Sequence, residues 1–203
     1  MVKLFGHPAS TCTRKVLCTM NELGIEHEFQ LVDLFKGENK AEDNLRRQPF
    51  GKIPSFEDKD LSLFESRAIS RYLVDAYGQG KLQPADAAGR AKMNLAIDIE
   101  ANYFTSNAMT FIYEHVFKRP QGEEKLAAAQ AGLDTALDVL DGILAKTPYL
   151  AGGEFSLADI FYLPYIEYLK MTPAFEGITK RPNVSAWWTR CSERPSWQKA
   201  AGH

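Results

Sequence analysis

Apolar residues along the chain follow two different periods, and the change comes near residue 80. Residues 2–6 form a short apolar run broken by Gly6-His7-Pro8, which predicts a strand and its end. From Ser10, Val16, Leu17, Met20 and Leu23 recur at three- and four-residue spacing up to Gly24, which predicts a helix with a glycine stop. Residues 27–32 alternate as a second strand, and a charged helical stretch follows near residues 40–47. Residues 53–56 and 61–64 predict two more strands around the acidic turn Glu57-Asp58-Lys59-Asp60. Residues 66–77 then read as a helix with Ile69, Tyr72 and Leu73 on one face. The predicted order is β-α-β-α-β-β-α.

The stretch Gly78-Gln79-Gly80-Lys81-Leu82-Gln83-Pro84 carries linker signals, and beyond it every convincing segment has helical period. Helices are predicted over roughly 88–117, 123–146, 156–170 and 183–192, with a last short piece from Pro195. Ser156-Leu157-Ala158-Asp159 has the form of a capping box, so Asp159 should reach back to the Ser156 N–H. There is no internal repeat. The expected organisation is an α/β domain over 1–78 and an all-helical domain over 89–203.

Composition narrows the function classes. The 203 residues, 45% hydrophobic and 25% charged, suit one large or two small globular domains with a real core. Net charge is −2 with no basic block, so neither nucleic acid nor an anionic membrane surface has an electrostatic footprint. No apolar stretch approaches the ~18 residues of a membrane span, and residues 1–6 lack the pattern of a signal peptide. Cys12, Cys18 and Cys191 are odd in number and lack metal-ligand spacing, so no metal is expected and reduced thiols in the cytoplasm are.

Candidate chemistry falls at strand-to-helix turns. Ser10, Thr11 and Cys12 stand where the first strand hands over to the first helix. A hydroxyl there can cap the helix, or donate to a bound anion with help from the helix dipole and free N–H groups. Cys12 has no CxxC partner, so it reads as a small packed residue or as a nucleophile with a lowered pKa. Pro54 suits the start of an edge strand, or a cis bond that leaves the Ile53 backbone open to pair with a peptide-like ligand. Glu65 and Ser66 put an acid and a hydroxyl at a helix start, and Lys40 and Lys52 add cations nearby.

Taken in order, Ser10-Thr11-Cys12, Gln48-Pro49-Phe50-Gly51-Lys52-Ile53-Pro54, Phe64-Glu65-Ser66-Arg67-Ala68-Ile69 and Ser156-Leu157-Ala158-Asp159-Ile160 resemble the cytosolic glutathione S-transferases. Within them, the phi class is most similar. The resemblance implies a thioredoxin-like N-terminal domain with an all-α C-terminal domain, and glutathione as co-substrate. It implies that Ser10 donates to the glutathione sulfur, with Thr11 and Cys12 as alternatives. Ile53 would bind the cysteinyl backbone beside a cis Pro54, and Glu65 and Ser66 would hold the γ-glutamyl end. Lys40 would approach the glycyl carboxylate. Asn39 stands where a histidine is common in the class and Lys52 where glutamine is usual; both can still donate to a carboxylate.

The activated sulfur would attack a small, mostly apolar electrophile in a pocket between the domains, a detoxifying conjugation. Tyr103, Phe104, Asn107, Phe111 and Tyr165 are the candidate lining residues, and most could equally be core. Phe50 is a position that the family often uses as an aromatic key in a homodimer. Ser10-Thr11-Cys12 with Lys15-Val16 also resembles the zeta class, whose members isomerise maleylacetoacetate with glutathione. A non-catalytic binding protein on the same fold is a third reading, set against the retained Ser10 and Glu65-Ser66.

Overall fold

Helix α1 (Thr11–Leu23) carries the chain back between strands β1 (Val2–Gly6) and β2 (His27–Leu31), so these two strands run parallel. Gly24 ends α1 in the left-handed conformation (φ 66°), its N–H turned to the Asn21 and Met20 carbonyls. After helix α2 (Glu42–Arg47), strands β3 (Ser55–Asp58) and β4 (Leu61–Phe64) form a hairpin on the other side of β1. The sheet order is β2-β1-β3-β4, with β3 antiparallel to both neighbours. Strand β3 starts two residues later than the apolar run, because Pro54 has no N–H to give a ladder.

Helix α3 (Ser66–Tyr77) packs beside α1. Between these helices and the sheet lie Val2, Leu4, Val16, Met20, Phe56, Ile69 and Leu73, all buried. At the end of β3, Asp58 accepts the Tyr77 hydroxyl and the Tyr72 hydroxyl (2.7 Å), which pins the rear of α3. These bonds hold the Asp58 carboxyl below its usual range and push the Tyr77 phenol up to about 12.

A computed structural model describes Met1–His203, in two units: Met1–Lys81 with Pro195–His203, and Leu82–Arg194. The terminal helix α10 (Pro195–Ala201) thus joins the α/β unit, where periodicity alone had grouped it with the preceding helices. It packs on α1: the Asn21 amide donates to the Ser196 carbonyl (3.0 Å), the Ser196 hydroxyl to Glu22, and Trp197 is fully buried.

The second unit contains α4 (Ala87–Ile99), α5 (Thr105–His115), α6 (Glu123–Leu144), α7 (Leu157–Leu169), α8 (Phe175–Thr179) and α9 (Pro182–Ser192). The single helix expected over 88–117 is interrupted at Glu100–Phe104 by a π-helical turn. Helix α8 is a five-residue addition that the apolar pattern does not announce. Helix α7 is buried on every side except at Glu167, which makes it the centre of this unit. Its capping box forms as expected, the Ser156 N–H donating to Asp159 (2.9 Å). Asp159 also accepts from the Ser156 hydroxyl (3.1 Å), the Leu150 N–H (3.0 Å) and the Trp187 indole (2.9 Å). Burial pushes its carboxyl up, and these donors pull it down without cancelling the shift.

Candidate active site

Strand register gathers the candidate turns at one end of the sheet. Phe5 stands opposite Gln30 on β2 and Ser55 on β3, and Ser55 stands opposite Phe64 on β4. Neighbouring strands lie about 5 Å apart. The loop carrying Ser10 therefore leaves the sheet beside Ile53-Pro54, which leads into Ser55, and beside Glu65-Ser66, which follows Phe64.

Ser10 is the N-cap of α1, half-buried and extended (φ −77°, ψ 125°), its Oγ accepting the Thr13 N–H at 3.2 Å. Accepting that bond leaves the Ser10 proton available to an outside acceptor. The capping and donating roles are therefore compatible in one hydroxyl. The preceding loop is tight: the Ser10 N–H returns to the His7 carbonyl (2.9 Å), and the Ala9 N–H donates to His7 Nδ1 (3.1 Å). A Cβ on Gly6 would sit 2.6 Å from Thr13 Oγ1, so glycine is what lets the start of α1 close on β1. Thr11 and Cys12 follow on the first turn, both half-buried, and α1 has no acid there to oppose a bound anion.

The Ile53–Pro54 bond is cis. Ile53 is half-buried, and no hydrogen bond within the protein engages its N–H or C=O. Around it the loop is heavily tied. Asn39 donates to the Gly51 carbonyl (2.8 Å) and Lys40 Nζ to the Phe50 carbonyl (3.3 Å). The Lys52 N–H donates to the buried Gln48 side chain (3.0 Å). Gly51 has φ 62°, and a Cβ there would lie 2.6 Å from Lys40 Nζ. Asn39 is thus half-buried and committed to the loop, whereas Lys40 and Lys52 are exposed.

Glu65 takes φ 70° and ψ 110°, a conformation that costs a non-glycine residue roughly 1–3 kcal/mol. Its exposed side chain makes no capping bond, so the strain does not serve helix α3. Ser66 (4% exposed) begins α3, where free N–H groups and the positive end of the dipole favour an anion.

The residues singled out in the second unit have different surroundings. Phe104 is fully buried against Tyr162 and Tyr165 (5.0 and 6.4 Å between ring centres), and Tyr165 is itself buried, so both belong to the core. Tyr103 is 63% exposed. Asn107 donates to the Tyr103 carbonyl (2.7 Å), and buried Phe111 stacks on His115. One aromatic was missed. Phe35 is 93% exposed, with its ring edge-on to His7 at 6.2 Å, three residues from Ser10. The pair Leu34-Phe35, apolar within the otherwise polar run 33–40, is the available signal.

The α/β unit has the strand order of thioredoxin-like proteins, with a serine and no CxxC at the start of its first helix, followed by a helical unit. Residues 1–75 match the family model of the glutathione S-transferase N-terminal domain, and 104–195 that of the C-terminal domain. Glutathione S-transferase F6 of Arabidopsis thaliana is 38% identical over 203 residues, 98% of each chain. The crystal structure of glutathione transferase F2 from Populus trichocarpa superposes with a TM-score of 0.95. It is 33% identical and is matched over 100% of this chain and 98% of its own. Glutathione S-transferase I from mais, solved with an atrazine glutathione conjugate, has a TM-score of 0.91 at 30% identity, over 99% and 96%. The chain belongs to the glutathione S-transferase family, a family of enzymes.

Proposed function

We propose that this protein is a phi-class glutathione transferase, using Ser10 to hold glutathione as its thiolate for attack on small, mostly apolar electrophiles. The observation that carries the reading is the common row of Phe5, Ser55 and Phe64, from which Ser10, Ile53-Pro54 and Glu65-Ser66 all emerge. The unengaged Ile53 backbone suits the cysteinyl residue of glutathione, paired like an added strand. The Glu65 carboxylate suits the γ-glutamyl ammonium, and Ser66 at the α3 N-terminus suits its carboxylate. Lys40 and Lys52 supply charge for the glycyl carboxylate, and Asn39 holds Gly51 beneath them. An electrophile beside the sulfur has the open ring of Phe35 to rest on. A relative solved with an atrazine glutathione conjugate agrees with this substrate class.

The zeta-like isomerase alternative is not carried forward. The Arabidopsis thaliana and Populus trichocarpa relatives described above are named as transferases F6 and F2, and Phe64-Glu65-Ser66-Arg67 follows the phi pattern. The test is conjugation of an aryl halide by the purified protein. Turnover that saturates in both glutathione and halide is expected. Tight glutathione binding without turnover would leave only the non-catalytic reading.

The same reading includes a homodimer in the cytoplasm with a role in detoxification. No helix is long and apolar enough to cross a membrane, and Cys12, Cys18 and Cys191 form no disulfide. Phe50 is 67% exposed and touches Phe64 only edge-on (6.0 Å), which favours the aromatic-key role over packing under its own loop. Size-exclusion chromatography with light scattering should give a dimer for the unaltered protein and a shift toward monomer for Phe50→Ala. An unshifted dimer would remove Phe50 from the interface.

A further inference from the structure

Asn44 is buried (2% exposed) on α2 and belongs to none of the motifs that mark the site. Its Nδ2 donates to two backbone carbonyls, that of Asn39 at 2.9 Å and that of Lys52 at 3.2 Å. Two carbonyl partners fix the orientation of the amide, because only its NH2 end can serve both. The other end, Oδ1, has no partner and is buried. One side chain therefore ties together the two arms of the loop: the arm carrying Asn39 and Lys40, and the arm leading into Ile53.

The bond to Lys52 has a directional consequence. The Lys52 carbonyl and the Ile53 N–H belong to one peptide group, which is trans. In a trans peptide these two bonds point in opposite directions within one rigid plane. Gln48 holds the plane before this one through the Lys52 N–H, at 3.0 Å. With its carbonyl drawn toward Asn44, the Ile53 N–H is aimed away from that buried side chain, and no acceptor in the protein takes it.

We propose that Asn44 is a positioning residue for glutathione: it aims the Ile53 N–H at the cysteinyl carbonyl and sets the spacing between that point and Lys40. This rests on the functional reading above. Asn44 touches no reacting atom, so its contribution is to binding and not to thiolate formation.

Asn44→Asp is the sharp test, since it keeps the shape and removes both donors, turning an oxygen toward the two carbonyls. The KM for glutathione should rise by about tenfold, the size expected when well-placed hydrogen bonds are lost. At saturating glutathione, kcat should stay within about twofold, and the pH profile of kcat should not move. A purely structural role would instead lower the folded fraction, and with it the apparent kcat, at constant KM. Asn44→Ala introduces no buried charge and serves as the second variant should the aspartate protein fail to fold. An unchanged KM in a folded variant, or a fall in kcat alone, would overturn the proposal. Failure of the unaltered protein to conjugate glutathione would instead remove the functional reading, and this inference with it.

Discussion

Ser10→Ala is expected to lower aryl-halide conjugation at pH 7 at least tenfold while the affinity for glutathione changes little. A free thiol has a pKa of about 8.5 and is only a few per cent ionised at pH 7. Lowering it by two units requires about 2.7 kcal/mol of preference for the thiolate. A hydrogen bond to a charged acceptor supplies roughly 1.5–3 kcal/mol, and a helix N-terminus roughly 0.3–1. The hydroxyl is thus the larger contributor, and its loss should return the bound thiol by one unit or more toward its free value. The deficit then depends on pH with a definite sign. It is greatest at low pH, where the variant's thiol is protonated, and it shrinks as pH rises through the variant's higher pKa. A constant deficit across pH would contradict thiolate stabilisation.

The same hydroxyl caps α1, so the alanine variant also loses about 1 kcal/mol of helix stability. Ser10→Gly separates the roles. Glycine is a tolerable N-cap that costs a few tenths of a kcal/mol, yet it has no donor. Both variants should therefore lose activity alike while differing in stability. Full activity in Ser10→Ala would move the assignment to Thr11 or Cys12, which share the first turn of α1.

The local chemistry of this site was legible because turns and caps are set by near neighbours. Ser10 before an amphipathic run, Pro54 before a strand and Ser156 three residues before Asp159 each announce their own geometry, and the structure has all three. What needed coordinates was distance along the chain. The Asn44 bond to the Lys52 carbonyl spans eight residues across a loop with no period. The Trp187 bond to Asp159 spans 28. The π turn at Glu100–Phe104 was hidden because one extra residue barely alters a helical pattern. The packing of α10 on α1 is hidden for a related reason: amphipathic spacing shows that a face is buried but not what buries it. Phe104 and Tyr165 share that ambiguity: their spacing fits a pocket wall or the core, and both are buried against other aromatics.

The largest stability effect should come from Asp159→Ala. This carboxylate is fully buried, and it gathers the Ser156 N–H and hydroxyl, the Leu150 N–H and the Trp187 indole. It thereby joins the start of α7 to the segment before it and to α9. Alanine would strand all of these donors away from water at once, and a buried donor without a partner costs about 1–3 kcal/mol. The combined loss, shared among groups that partly relax, should be about 3–5 kcal/mol. At about 2–4 °C per kcal/mol for a chain of this size, the melting temperature should fall by roughly 6–20 °C. Asp159→Asn should fall between the two, because its carbonyl oxygen can keep the Leu150 and Trp187 donors while its NH2 faces the Ser156 N–H. The KM for glutathione of the protein that does fold should be unchanged in both, which is the opposite of the pattern expected for Asn44. Calorimetry together with glutathione saturation curves measures the two quantities independently. A melting temperature within about 3 °C of the unaltered protein would mean that water replaces the carboxylate, and that α7 does not depend on its cap.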